Sequence, residues 1–182
     1  DFVLTVVPVN DAPIIEAIAS QEMDEDTTLT ITLSASDVDD GTGTGDENDL
    51  SFSAVSDNAV ISVSVTGDEL TITSDADYYG SGTITVTVTD MGSRLTDETE
   101  FVLTVHPVND APVMTEIDSQ STDEDTPLTI TVFSSDVDSG TGPGDENVPE
   151  YSCSSSDDAS VVCFFSGDQL TMDPAEDFHG SV

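Results

Sequence analysis

Apolar and polar residues alternate along most of this chain. The clearest runs are TLTITLS from Thr28, VISVSVTG from Val60, GTITVTVTD from Gly82 and EFVLTV from Glu100. An alternation of period two, with Thr and Ser between β-branched residues, places one face of a strand in a core and the other face in water. No stretch of the sequence shows the helical period over a useful length. The pattern therefore predicts an all-β chain.

Turn residues divide these runs into short strands. If a weaker segment, PIIEAIA from Pro13, is counted, about seven strands separated by Gly, Asp and Asn turns recur along the chain. Short alternating strands at this spacing are typical of a small antiparallel β-sandwich.

The strand pattern is repeated together with its turns. The hexamer PVNDAP occurs at residues 8–13 and again at 107–112, a period of 99 residues, and DEDTTLTIT from Asp24 is matched by DEDTPLTIT from Asp123. A unit of this size is large enough to bury its own core, so we expect independent sandwiches arranged end to end and not a solenoid. The predicted division is residues 1–9 as the last strand of a preceding repeat, 10–108 as a first repeat, and 109–182 as a second repeat that stops before its last two strands.

The two ends of the chain lie at different points of the period. Val182 aligns with Gly82 and Asp1 aligns with Glu100, so 17 residues are missing between the end of one copy and the start of the next. With the 182 residues of the chain they make 199, which is two periods. We therefore expect the sequence to be a window from a longer periodic protein.

Charge narrows the possible partners. The chain has 39 acidic residues and one basic residue, Arg94, which gives a formal net charge of -38. Such a charge argues against a nucleic-acid or anionic-membrane partner and requires cations as counterions. No apolar run is long enough to cross a bilayer, so membrane insertion is not expected. Disorder is disfavoured because 36% of the residues are apolar and regularly spaced, which leaves a solvated surface adapted to salt or a set of cation sites.

The repeated acids occur in motifs of a known kind. PVNDAP between repeats, DVD from Asp37, DAD from Asp75 and TDMG from Thr89 resemble the motifs of bacterial cadherin-like repeats of large surface adhesins and extracellular fibres. The resemblance covers the whole chain and implies tandem cadherin/immunoglobulin-like sandwiches. It also implies that the acids bind Ca²⁺ where consecutive repeats meet and make the array rigid.

The resemblance assigns ligands residue by residue. For the junction between the two repeats it implies Glu25, Asp75, Asp77, Asn109, Asp110, Asp136, Asp138 and Asn147. For the junction that precedes the first repeat it implies Asn10, Asp11, Asp37, Asp39, Asn48 and Asp90.

The chain departs from the family pattern in two places. The linker lacks a leading Asp, and the second copy has PAEDF from Pro174, so that only Asp177 is kept for a following junction. We therefore expect one or two ions per junction. The loop from Asp37 to Asp49 is compatible with two interpretations, a local ion-binding loop or a flexible acidic loop whose first acids serve the junction.

The expected function is non-enzymatic. The sequence has no GxSxG, HExxH or phosphate-binding loop, and its two histidines, His106 and His179, are interpreted as surface or turn residues. The resemblance implies a calcium-rigidified spacer of a secreted or cell-surface adhesin or filament, with neighbouring repeats as partners. Two alternatives remain: a module that binds surface glycans, and a homotypic fibre in which residues 1–6 complete a neighbour's sheet. Against the second alternative, two strands are missing from the second copy and one strand cannot replace two.

The two cysteines occur only in the second copy. Cys153 and Cys163 align with Phe52 and Val63, which the alternation places on the inward faces of consecutive strands. Free thiols acting as small core residues are one interpretation. Because the resemblance implies a secreted protein, a disulfide between them is favoured.

Overall fold

The computed structural model describes residues 2–7, 9–38, 50–138 and 149–182. The chain forms two compact units, residues 1–108 and 109–182. The described residues form strands and turns and contain no helix, which confirms the all-β prediction. Accordingly, no helix in these ranges could span a membrane.

The described residues of the first unit form nine strands. They are β1 (Ile14–Ile15), β2 (Gln21–Asp24), β3 (Thr28–Thr32), β4 (Ala35–Ser36), β5 (Leu50–Ser56), β6 (Ile61–Thr66), β7 (Glu69–Ser74), β8 (Gly80–Asp90) and β9 (Thr96–His106). One sheet has the order β2-β9-β8-β5 and the other β3-β7-β6, while β1 pairs with β4. The two larger sheets form the predicted sandwich.

The core of the first unit follows the alternation read from the sequence. Along β8, Ile84, Val86 and Val88 are fully buried, and the threonines between them are only partly covered. Leu103 of β9 and Ile72 of β7 are also fully buried, so the inward faces of both sheets contribute to the core.

Two of these strands were not predicted. Strand β2 is polar except for the buried Met23, and β4 has only two residues. Strand β2 is nevertheless important, because it pairs in parallel with the end of β9, with Gln21 opposite Leu103 and Met23 opposite Val105. The remaining strand pairs of the unit are antiparallel.

The second unit repeats part of this plan. Its strands are β10 (Val113–Met114), β11 (Leu128–Thr131), β12 (Ser134–Ser135), β13 (Val161–Ser166) and β14 (Gln169–Pro174). A three-stranded sheet has the order β11-β14-β13, which is the counterpart of β3-β7-β6, and β10 pairs with β12. The counterpart of β5, around residues 150–156, is not paired with another strand within the described part of the unit.

Candidate functional site

Two aspartates lie at the end of the first unit where β2 and β9 both terminate. Asp26 follows β2, and Asp77 lies in the turn between β7 and β8. The backbone N–H of Asp77 donates to Oδ1 of Asp26 at 3.3 Å, and carboxylate oxygens of the two residues lie within 4.8 Å of one another. Both residues have a φ of 57°, the left-handed region that most side chains avoid and that Asp tolerates comparatively well.

A buried glutamate lies beside this pair. Glu25 is only 3% exposed, its backbone N–H donates to the carbonyl of His106 at 2.9 Å, and its Oε1 accepts a hydrogen bond from the backbone N–H of Val108 at 2.6 Å. The carboxylate is thus held against the end of β9. A carboxylate oxygen has more than one lone pair, so the group keeps acceptor capacity beyond this bond.

The second unit builds the same arrangement from its own residues. Asp125 and Asp177 have φ values of 63° and 56°, and the N–H of Asp177 donates to Oδ1 of Asp125 at 2.9 Å. All four aspartates of the two pairs are exposed. The arrangement is therefore encoded locally by each repeat.

The opposite end of the first unit carries a second group of polar residues. Asp90 ends β8, about 33 Å from Gly80 at the rise of an extended strand. It is 2% exposed and accepts hydrogen bonds from Ser93 Oγ at 2.5 Å, Gly92 N at 2.8 Å and Asn10 Nδ2 at 3.1 Å. These donors, above all the Ser93 hydroxyl, hold the pKa of Asp90 below its usual value.

The corresponding end of the second unit is organised around Asp138. Its Oδ2 accepts a hydrogen bond from the backbone N–H of Asp110 at 2.5 Å, and its own N–H donates to Oδ1 of Asp136 at 3.1 Å. Asn109 Nδ2 donates to the carbonyl of Asp110 at 2.6 Å, as Asn10 Nδ2 does to the carbonyl of Asp11 in the first unit. The Asn-Asp step of PVNDAP thus has one local geometry in both copies.

Several predicted ligands lie within these groups, and others do not. Asp75 is exposed and contributes its backbone to the turn, where its N–H donates to Val60 and its carbonyl accepts from Tyr78. Asp37 is half-buried just after β4. Asp39, Asn48 and Asn147, together with most of the loop from Asp37 to Asp49, lie outside the described residues.

Asp26 and Asp125 were not among the predicted ligands. The signal that could have found them is the third residue of the repeated Asp-Glu-Asp triplet, which must turn the chain directly after a strand. A single side chain that both turns the chain and accepts a backbone hydrogen bond is a common role for Asp.

The chemistry of these groups fits a hard cation. The available donors are carboxylate, amide and backbone carbonyl oxygens, the ligands that Ca²⁺ prefers in proteins. The sequence contains no lysine, and among the described residues no arginine forms an ion pair with Asp26 or Asp77. Their negative charges are therefore not neutralised by a basic side chain. Two carboxylates so close repel one another, and a divalent cation would reverse that interaction.

A disulfide marks the second unit. It joins Cys163 of β13 to Cys153, whose Cα atom lies 6.2 Å from that of Cys163. The rings of Tyr151 and Phe165 stack beside it with centroids 5.3 Å apart. The otherwise unpaired segment around residues 150–156 is thus attached to the three-stranded sheet.

Two Ig-like units in succession define a tandem β-sandwich repeat protein. The family model of the bacterial Ig domain matches the chain twice, over residues 10–104 and 109–182. The chain therefore belongs to the bacterial Ig domain family, and the prediction of tandem bacterial repeats of this class is confirmed.

Comparison with other proteins adds similarities of fold. The chain is similar to N-cadherin EC1-4 of Drosophila at 19% identity, with a TM-score of 0.45 over 72% of this chain and 35% of that one. The chain is 15% identical to the human desmocollin-1 ectodomain, with a TM-score of 0.43 over 91% of this chain and 34% of that one. It is 18% identical to human protocadherin-24 EC1-2, with a TM-score of 0.48 over 92% of this chain and 79% of that one. The chain thus spans about a third of the first two structures. No curated protein matches it.

Proposed function

We propose that this chain is a non-enzymatic structural repeat whose units are made rigid by Ca²⁺, acting as a spacer in a secreted or cell-surface adhesin or filament. The observation that carries the proposal is the aspartate pair, Asp26 with Asp77 and Asp125 with Asp177, formed with the same backbone geometry in both units. A feature repeated in every unit suits a role that every unit performs. A single catalytic centre has no such need to recur.

Calcium is favoured by the type and position of the ligands. At one end of the first unit, an ion would be held by Asp26, Asp77 and Glu25. At the start of the second unit, further oxygen ligands would come from Asp110 and Asp138. An ion held by groups that belong to consecutive repeats restricts the angle between those repeats. Ca²⁺ takes 6–8 oxygens in flexible geometry, whereas Mg²⁺ requires near-ideal octahedral geometry, so irregular turns favour Ca²⁺.

An extracellular location is supported by the disulfide. Disulfides such as Cys153–Cys163 persist in oxidising compartments. Extracellular Ca²⁺ modules typically bind with Kd values of about 10⁻⁴–10⁻³ M, which matches the higher calcium levels outside cells. A formal charge of -38 also keeps long fibres soluble through mutual repulsion.

The proposal is tested by titrating the calcium-depleted 182-residue protein with CaCl₂ in a calorimeter and following thermal unfolding in parallel. We expect saturable heat, and a stabilisation of about 2.7 kcal/mol once the calcium concentration reaches about 100 times Kd. MgCl₂ at the same concentration should give a much smaller shift in Tm.

Two double variants test whether the calcium-dependent rise in Tm arises at the aspartate pair of the first unit. Asp26→Ala with Asp77→Ala should remove most of the calcium shift of the first unit. Asp68→Ala with Asp168→Ala removes two carboxylates from the exposed turns that follow β6 and β13, and should leave the shift unchanged.

The acids at the start of the second unit are tested by a separate double variant. Asp110→Ala with Asp138→Ala should also weaken calcium binding. If the wild-type protein shows no calcium heat and its melting curve ignores chelator, the acids form only a solvated surface and the proposal is wrong.

A further inference from the structure

One edge of the three-stranded sheet in the second unit is open. Strand β13 pairs with β14 on one side and is the outermost strand of its sheet among the described residues. Its counterpart β6 is likewise outermost in the sheet β3-β7-β6 of the first unit, where the opposite sheet has four strands. The open edge is therefore a feature of the repeat and not of one copy.

The hairpin between β13 and β14 determines which backbone groups face this edge. Its loop has two residues, and the first, Gly167, has a φ of 64°, as in the tight turns that join paired strands. Ser166 and Gln169, which flank the loop, therefore exchange hydrogen bonds, and every second pair along the hairpin does the same. The N–H and C=O groups of Cys163 and Phe165 thus point away from β14. Among the described residues, no backbone hydrogen bond outside the sheet involves them.

The side chains beside this edge differ between the two units. Val162 and Phe164 lie on the outward face of β13 and are 51% and 50% exposed. The disulfide and the aromatic stack involve the alternate, inward-facing residues and leave these two uncovered. The corresponding residues of β6 are Ser62 and Ser64, which are also exposed. Because apolar side chains on an open edge favour pairing with another strand, the second unit has an edge suited to pairing that the first unit lacks.

Charge restricts the segment that could pair here. Asp157 and Asp158 precede β13 in the chain, and Asp168 follows it. Asp173 lies opposite Val162 in the hairpin. The second unit contains neither lysine nor arginine. A second copy of this chain is equally acidic and would be repelled, whereas a basic segment would be attracted.

We propose that the open edge of β13 binds an extended basic segment of another protein, which joins the sheet as a fourth strand. The backbone groups of Cys163 and Phe165 would form the hydrogen bonds to this segment. Its residues beside Val162 and Phe164 would be apolar, because apolar cross-strand pairs stabilise a sheet. The alternate residues would be lysine or arginine, attracted by the surrounding aspartates. The partner is thus a strand-forming segment in which basic and apolar residues alternate.

Hydrogen exchange resolved to single amides by NMR tests the proposal. The probe is a capped peptide in which lysine and valine alternate, added to the 182-residue protein. Peptide at about ten times its Kd leaves about a tenth of the sites open, so exchange at the N–H groups of Cys163 and Phe165 should slow about tenfold. The corresponding amides of β6, those of Val63 and Val65, should be unaffected. The absence of saturable slowing at Cys163 and Phe165 would overturn the proposal.

Reciprocal substitutions between the two units provide matched variants. Val162→Ser with Phe164→Ser gives β13 the outward side chains of β6 and should remove most of the protection. Because both side chains are half-exposed, this variant should still fold. Ser62→Val with Ser64→Phe gives β6 the outward side chains of β13 and should create protection there. Unchanged protection in the first variant, or none gained in the second, would contradict the assignment of the binding edge.

A control peptide separates strand pairing from general attraction to an acidic protein. A peptide in which lysine and proline alternate has the same charge, but proline has no N–H and does not fit a paired strand. It should leave exchange at Cys163 and Phe165 unchanged. Equal protection by this peptide would show charge attraction alone. Protection that rises with protein concentration without peptide would show that a second copy occupies the edge. Either result would overturn the proposal.

Discussion

The two units share their turns but not their cores. In the first unit Leu70 and Ile72 are completely buried, whereas in the second Leu170 is 9% exposed and Met172 is partly exposed. The aspartate pairs, by contrast, have φ values within a few degrees of one another in both units. The turn geometry therefore depends on residues that both units contain, within one repeat, while the core burial of the first unit also depends on β8 and β9.

The difference arises because no second sheet faces β11-β14-β13 among the described residues of the second unit. In the first unit β8 and β9 cover the corresponding residues with alternating apolar side chains. In the second unit the disulfide and the Tyr151–Phe165 stack lie on the same side of that sheet. A covalent link constrains the unfolded chain and so stabilises a unit without requiring more buried area.

The largest expected effect comes from matched substitutions in the two cores. Ile72→Ala should lower the free energy of unfolding of the first unit by about 2–5 kcal/mol, because it opens a cavity among fully buried side chains. Met172→Ala at the corresponding position should cost less than half as much, since Met172 is already partly solvated. Hydrogen exchange followed by mass spectrometry reports each unit separately. Equal costs would show that the second core is as well covered as the first.

The next largest effect on stability concerns the Cys153–Cys163 disulfide of the second unit. Cys153→Ser with Cys163→Ser should destabilise the second unit by about 2–4 kcal/mol through the lost restriction of the unfolded chain. The first unit has no cysteine and should be unaffected. Urea unfolding with and without reductant provides the measurement, with hydrogen exchange to assign each transition. Intact mass should rise by two hydrogen atoms on reduction, and no rise would show that the bridge does not form.

Sequence reasoning predicted the features that depend on local pattern. The strands around Ile84 and Leu103 follow directly from alternation, and the division into repeats follows from PVNDAP. Strand β2 escaped prediction because only Met23 among its four residues is apolar, and its pairing with β9 lies more than 80 residues away in the chain. Asp26 escaped because its role depends on a left-handed φ and on a hydrogen bond from Asp77, neither of which composition reveals.

The smallest expected effect tests whether the aspartate turns are equivalent. At Asp26 and Asp125, substitution by Ala and by Gly removes the same carboxylate, so any relief of charge repulsion is the same in both variants. Only Ala keeps a Cβ atom at a φ of about 60°, where it approaches the following carbonyl. We expect the Ala variant to be less stable than the Gly variant by about 1–2 kcal/mol.

This difference between Ala and Gly should be the same at Asp26 and at Asp125, because each turn forms from its own repeat whether or not the core behind it is closed. Thermal unfolding in the presence of chelator measures it without a contribution from bound calcium. A difference that appears at Asp26 and vanishes at Asp125 would mean that the strands covering the first unit impose the left-handed turn there. The two units would then differ in their turns as well as in their cores.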